Sequence, residues 1–159
     1  MAKVLVIYYS RTGNTEKMAE LVAGGVRAGG VEVDVKKVEQ VKPSELLGYD
    51  GIIIGSPTYY GSMAWEVKKL LDESVAHHGD LDGAVGAAFT SAANIGGGNE
   101  TTVLSILQAM LIHGMVIQGD AEGDHYGRVS INRPDRRVET QCARMGKRVA
   151  ALVKKLSKD

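Results

Sequence analysis

The sequence predicts a three-layer α/β sandwich around a five-stranded parallel sheet, and three features carry that prediction. Short apolar runs alternate with longer amphipathic runs along the chain, the pattern of βαβ units. The run Gly51-Ile52-Ile53-Ile54-Gly55 is apolar without alternation, as in a strand covered on both faces. The longer runs carry apolar residues at spacings of three and four, the helical period.

Taken in order, the first strand runs from Lys3 to Tyr8. The first helix runs from about Asn14 to Ala28, with Met18, Leu21, Val22, Gly25 and Val26 on one face and Gly29-Gly30 ending it. A second strand covers Val31 to Val38, with Val31, Val33 and Val35 on one side. A helical turn or two through Lys42-Pro43-Ser44-Glu45-Leu46-Leu47 leads to the third strand, Gly51 to Gly55. A helix from about Ala64 to Asp72 follows, and helix packing is the simplest role for its Trp65. The fourth strand is Ala84 to Phe89, and the next helix runs from about Asn99 to His113. The fifth strand is short, near Met115 to Gln118. The stretch Gly119 to Pro134 has no clear periodicity and reads as a functional loop. The last helix spans Asp135 to about Leu156, with Val138, Cys142, Met145, Val149, Leu152 and Leu156 as its apolar stripe.

At 159 residues the chain has the size of one domain, residues 1–159, which buries roughly 70% of its unfolded surface without a disulfide or metal. Nineteen basic and nineteen acidic residues give a formal net charge of zero, which argues against nucleic acid or an anionic membrane as partner. The apolar run near the N-terminus is too short for membrane insertion or a signal peptide. A lone cysteine, Cys142, permits no intramolecular disulfide and suits a reducing, cytoplasmic setting. On the last helix's apolar stripe it reads as inert core.

A doubly wound sheet of order 2-1-3-4-5 has its switch point between strands one and three, and ligands bind beyond the carboxyl ends of the strands there. The loops after strands one, three and four therefore matter most. The first reads Ser10-Arg11-Thr12-Gly13-Asn14-Thr15. Hydroxyls, an amide and a glycine at a helix N-terminus suit a phosphate monoester held by backbone N–H groups with little help from lysine. Plain helix capping needs only one Ser or Thr. No G-x-x-x-x-G-K-S/T occurs and no G-x-G-x-x-G follows the first strand, so neither a P-loop nor a dinucleotide fingerprint is present. The acidic residues of a phosphoacceptor receiver are missing as well.

The loop after strand one resembles the flavodoxin phosphate-loop signature S/T-x-T-G-N-T, which in that family wraps the 5′-phosphate of FMN. The loop after strand three, Gly55-Ser56-Pro57-Thr58-Tyr59-Tyr60-Gly61, pairs a turn with two flat aromatics suited to stacking, or to covering the sheet's end. It resembles the P-T-x-aromatic-G loop of the WrbA-type NAD(P)H:quinone oxidoreductases. That likeness implies that Pro57, Thr58, Tyr59, Tyr60 and Gly61 run along the isoalloxazine ring. After strand four, Gly96-Gly97-Gly98-Asn99-Glu100-Thr101-Thr102 is similar to the G-G-G-Q-E-x-T segment of the same branch. By that likeness Thr90, Ser91, Asn94, Gly96, Gly97 and Gly98 enclose the flavin. The string His113-Gly114-Met115-Val116-Ile117 resembles an H-G-M-V-I element whose histidine lies near the flavin, and a histidine capping the helix C-terminus is the other reading. The chain is shorter than the WrbA type and lacks its aromatic-bearing insertion.

The resemblance implies a flavodoxin-like fold with FMN as cofactor and NAD(P)H as co-substrate. The leading expectation is an FMN-dependent oxidoreductase passing electrons to a quinone or similar small acceptor. The first alternative is a flavodoxin, a one-electron carrier between redox proteins, although such carriers use an acidic docking face and this chain is neutral. The second is a non-enzymatic flavin-binding module. No side chain is assigned a catalytic role, because the cofactor carries the chemistry. WrbA-like relatives assemble, so a homo-oligomer in which a neighbour completes the site is also an expectation.

No metal site is expected. His77, His78 and His125 read as exposed turns, and Asp120, Glu122 and Asp124 as a solvated loop. Arg128, Arg133, Arg136 and Arg137 read first as a solvated basic face and second as a lure for nicotinamide phosphates.

Overall fold

A computed structural model describes residues 1–157. Strands β1 (Lys3–Tyr8), β2 (Glu32–Lys37), β3 (Gly51–Pro57), β4 (Val85–Ala92), β5 (Val116–Ile117) and β6 (Arg128–Ile131) form one sheet. Its order is β2-β1-β3-β4-β5, with every pairing parallel. Helices α1 (Asn14–Ala28) and α4 (Arg136–Leu156) cover one face, while α2 (Trp65–Glu73) and α3 (Asn99–Ile112) cover the other. No described helix is long and apolar enough to cross a membrane.

The pleat divides the core in two. Val4, Val6, Tyr8 and Ile53 point toward Met18, Val22, Cys142 and Val149. Leu5, Ile7, Ile52 and Ile54 point toward Val67, Val103, Ile106 and Met110. Side chains on both faces of a strand are therefore buried, which is why these runs show no apolar–polar alternation. Helices α1 and α4 meet at glycines. A Cβ on Gly25 would lie 2.2 Å from the Ala143 carbonyl oxygen, and one on Gly146 would lie 2.1 Å from that of Val22. As expected, Cys142 is fully buried, and burial pushes its thiol up to about 12.

The stretch after β5 departs from the sequence expectation. The fifth position of the sheet is filled by two collinear pieces. β5 pairs with the start of β4, and β6 pairs with its end, Phe89 opposite Arg128 and Ala92 opposite Ile131. Most residues between them are exposed, as a solvated loop is, but Asp120 is not, nor is Arg128 part of a basic face. Arg128 is 2% exposed and Asp120 is 8% exposed. Arg128 donates to the Asp120 carboxylate, to Gln141 Oε1 at 2.5 Å and to the Asp124 carbonyl at 3.1 Å. Arg144 adds two bonds to Asp120, at 2.8 and 2.9 Å. The bonds from Arg144 foremost, then the Glu122 amide and Arg128, outweigh desolvation and hold the Asp120 carboxyl well below the usual carboxylate range.

The same segment closes the sheet's edge. The Val129 N–H donates to Asp124 Oδ2 at 3.0 Å, and its carbonyl accepts from Arg137 Nη2 at 2.7 Å. These groups would otherwise be free to template another strand. Asp124 and Arg137 are also paired with each other at 3.0 Å.

His113 is placed away from the carboxyl ends of the strands. α3 leaves that edge and returns to the opposite one, so its C-terminal residue lies beside the amino end of β4. There Ser74 Oγ donates to the Leu71 carbonyl at 2.7 Å and accepts from His113 Nε2 at 2.8 Å. Among the described residues Nδ1 is buried without a partner. Within one chain, then, His113 does not belong with the loops after β1, β3 and β4, and of its two sequence readings the helix C-terminus is the one the structure supports.

Two stability predictions follow from these buried polar groups. Asp120→Asn leaves Arg128 buried without its counter-charge, and the expected loss is about 3–5 kcal/mol. Urea unfolding measures it, and an unchanged midpoint would contradict the assignment. Burial, with a smaller contribution from His78, lowers the His113 pKa below its ordinary 6.5. The unfolded chain therefore takes up a proton that the folded chain resists. Stability is full above about pH 6.5 and falls as pH drops from there toward the lowered value. His113→Gln should flatten this slope in melting temperatures recorded at about pH 7.5 and 5.5; an unaltered slope would show that another group is responsible.

Candidate functional site

The loops after β1, β3 and β4 converge at the carboxyl edge of the sheet, as the topology requires. They enclose a cleft of about 430 Å³ lined by Arg11, Thr12, Asn14 and Thr15, by Pro57, Thr58 and Tyr59, and by Ser91, Ala92, Ala93 and Asn132.

The first loop ends on Gly13, the N-cap of α1, in the left-handed region at φ 95°. No side chain caps this helix. The Gly13 amide is engaged by Ser10 Oγ at 3.1 Å, which leaves the Ser10 hydroxyl proton free to donate outward. Among the described residues the backbone N–H groups of Thr12, Asn14 and Thr15 have no acceptor. By contrast α4, which lies outside this cleft's first loop, carries its own cap: Asp135 Oδ1 accepts from the Val138 N–H at 2.9 Å. Free amides, a positive helix end and adjacent hydroxyls form a donor set for a compact anion of high charge.

Buried hydroxyls tie the loops together. Thr15 Oγ1 lies 2.8 Å from Ser91 Oγ and joins the first loop to the third. Thr90 Oγ1 donates to the Ser56 carbonyl at 2.7 Å, so the Thr58 hydroxyl, 2.8 Å away, donates to Thr90. Thr58 N–H donates to the Ser91 carbonyl at 2.8 Å. Ser56 Oγ accepts from the Ala64 N–H at 2.8 Å, holding the far end of its loop. Thr90 is fully buried. It supports the loops from beneath and does not reach the cleft, which corrects its expected place among the ligand contacts.

Residues Tyr59 to Ser62 form a two-residue hairpin with reciprocal backbone bonds of 2.9 and 3.1 Å. Tyr60 at φ 48° and Gly61 at φ 77° occupy its corners, both positive as a type I′ turn demands. Tyr60 is fully exposed at the tip. Tyr59 packs edge-on against Tyr9 with ring centroids 6.4 Å apart. The loop after β4 abuts this hairpin: a Cβ on Gly98 would lie 2.4 Å from Gly61 Cα. Asn94 is turned onto its own loop, donating to the Ile95 carbonyl at 3.1 Å, while Asn99 Oδ1 accepts from Gly96 N–H at 3.3 Å. Asn94 therefore shapes the Gly96-Gly97-Gly98 segment.

Trp65 does not pack against a neighbouring helix; it is 67% exposed and borders a groove with Val38, Val41 and Leu70. Position at the N-terminus of α2, on the same edge as the cleft, leaves it facing solvent. Ala92, Ala93 and Asn132 line the cleft and are not among the residues that the sequence pointed to. Asn132 directly follows β6, so its place at the cleft could be seen only once that strand was known.

A flavodoxin family model matches residues 6–108. The chain is 41% identical over 162 residues to a flavodoxin from Aquifex aeolicus (strain VF5), covering 96% of this chain and 88% of the relative. It is 39% identical over 191 residues to an NAD(P)H dehydrogenase (quinone) from Archaeoglobus fulgidus, covering 98% and 100%. A solved archaeal flavodoxin superposes with a TM-score of 0.81 at 32% identity, covering 96% of this chain and 99% of that one. With the sheet order and the three loops, these likenesses show that the chain belongs to the flavodoxin family.

Proposed function

We propose that the chain holds FMN with its phosphate at the N-terminus of α1, and that it passes electrons from NAD(P)H to a quinone or a similar flat acceptor. The donor set supports the cofactor half of this reading. Free amides at Thr12, Asn14 and Thr15, with the Ser10 and Thr12 hydroxyls, suit a phosphate monoester and leave no protein cap to displace. FMN, once bound, supplies the electron-transfer chemistry. The protein's part is to bind the phosphate, to wall the ring with the Tyr59–Ser62 hairpin and the Gly96-Gly97-Gly98 segment, and to limit water there.

The observation that carries the acceptor half is the character of the rim. Tyr60, fully exposed at the tip of the hairpin after β3, and Ile95, 84% exposed in the loop after β4, put apolar surface on the two loops that bound the site, which suits a flat small acceptor. Zero net charge agrees with it. The second reading, a carrier between redox proteins, is supported as well by relatives of the Aquifex type, which are named flavodoxins.

Anaerobic mixing of the FMN-loaded protein with NADH or NADPH separates the two. Rapid bleaching of the flavin absorbance, and turnover when a benzoquinone is added, is the expected result. A protein reduced by dithionite but not by either nucleotide would be the carrier. For the phosphate site, Thr12→Ala combined with Asn14→Ala should weaken FMN binding by roughly 2–3 kcal/mol, the loss of hydrogen bonds to a charged group. Fluorescence titration of the apo-protein measures this, and equal affinity in the variant would remove the phosphate from this loop.

A further inference from the structure

We propose that Thr101, in the first turn of α3, is a positioning residue for the flavin-facing hairpin. This rests on the FMN reading above. Thr101 Oγ1 lies 2.7 Å from the Gly61 carbonyl oxygen and 3.0 Å from that of Gly98. One hydroxyl proton cannot serve both fully. Gly98 O already accepts from the Thr102 N–H at 3.0 Å and the Thr102 hydroxyl at 2.8 Å. Among the described residues Gly61 O has no donor but Thr101. The proton therefore belongs to Gly61, and the hydroxyl does more than back-bond within its own helix.

The position of this bond gives it its effect. Gly61 is a corner of the two-residue turn, next to the exposed Tyr60, and both residues are held at positive φ. Tyr60 carries a Cβ in that region at some energetic cost, so the turn has reason to relax when a restraint is lost. The reciprocal Tyr59–Ser62 bonds close the hairpin but do not fix its tilt against the rest of the site. The bonds of Thr58, Ser56 and Ala64 and the Tyr9–Tyr59 contact anchor its base, and two contacts tie its tip to the loop after β4: the close approach of Gly98 to Gly61 and the Thr101 bond. Thr101 thus couples the loop after β3 to the loop after β4 and orients the Gly61 peptide plane relative to any ring between them. Thr101 is itself exposed, so its removal leaves the core intact.

The test compares wild type, Thr101→Val and Thr101→Ser. Valine keeps the shape and removes the donor; serine restores it. Thr101→Val should bind FMN about fivefold more weakly, the effect of one ordinary hydrogen bond. The midpoint potential of its bound flavin should be displaced, and amide exchange at Tyr59 and Ser62 in the apo-protein should be faster. Thr101→Ser should return all three to wild-type values, and all three proteins should melt together. Wild-type affinity, potential and exchange in Thr101→Val would overturn the proposal, as would a serine variant as impaired as the valine one. Failure of wild-type apo-protein to take up FMN at all would overturn the cofactor reading and this inference with it, whereas normal wild-type uptake with a silent valine variant overturns this inference alone.

Discussion

A helix N-terminus presented without a cap at the carboxyl edge of a parallel sheet is the constraint on which the rest of the molecule depends. A helix end leaves backbone N–H groups unpaired, and burying them without an acceptor is costly. α4 meets that requirement with Asp135. α1 does not, and a left-handed glycine occupies its N-cap position, as it does in α3. The chain thus keeps a positive, donor-rich end where the first crossover begins, and the hydroxyls of Ser10, Thr12 and Thr15 are gathered around it. An acidic cap here would stabilise the apo-protein and oppose an anionic ligand.

Holding three loops around such a site without a covalent staple calls for buried polar contacts that are fully matched. The Thr15–Ser91 and Thr58–Thr90–Ser56 bonds supply them, each linking segments far apart in the chain. Their hydroxyls are small enough to sit at the ends of strands without opening cavities, and in low dielectric such bonds are stiff. The strongly ionic cluster lies elsewhere. Asp120 with Arg128 and Arg144 fastens the segment between β5 and β6 against α4, so the sheet's edge is closed independently of the ligand loops. Asn132 is carried into the cleft at the end of that fastened strand.

The strands, helices and the loops that converge on the cleft were legible because their signals are local. The continuous apolar runs of β1 and β3 and the glycine stops show in any short window. β6 was not legible. It has only four residues, its partner β4 lies far back in the sequence, and its buried face carries Arg128, whose neutralising carboxylate cannot be recognised from spacing alone. For the same reason Asp120 passed for a solvated residue. For His113 the motif left two readings open although the topology decides between them: a helix that starts at the carboxyl edge must end at the other one. Thr90 read as a loop residue because the strand reading stopped at Phe89; β4 continues to Ala92 and buries it. Trp65 had no local signal, because the packing of α2 is decided by Val67 and Leu70 on its other side.

The central claim is that an anion, and specifically the phosphate of the cofactor, completes the N-terminus of α1. Fluorescence titration of the apo-protein with FMN and, in parallel, with riboflavin tests it most directly, because the two ligands differ only in that phosphate. Several charge-assisted bonds at the free amides should make FMN the tighter ligand by at least about a hundredfold. Equal affinities for the two would mean that the phosphate gains nothing from this helix end, and would contradict the account.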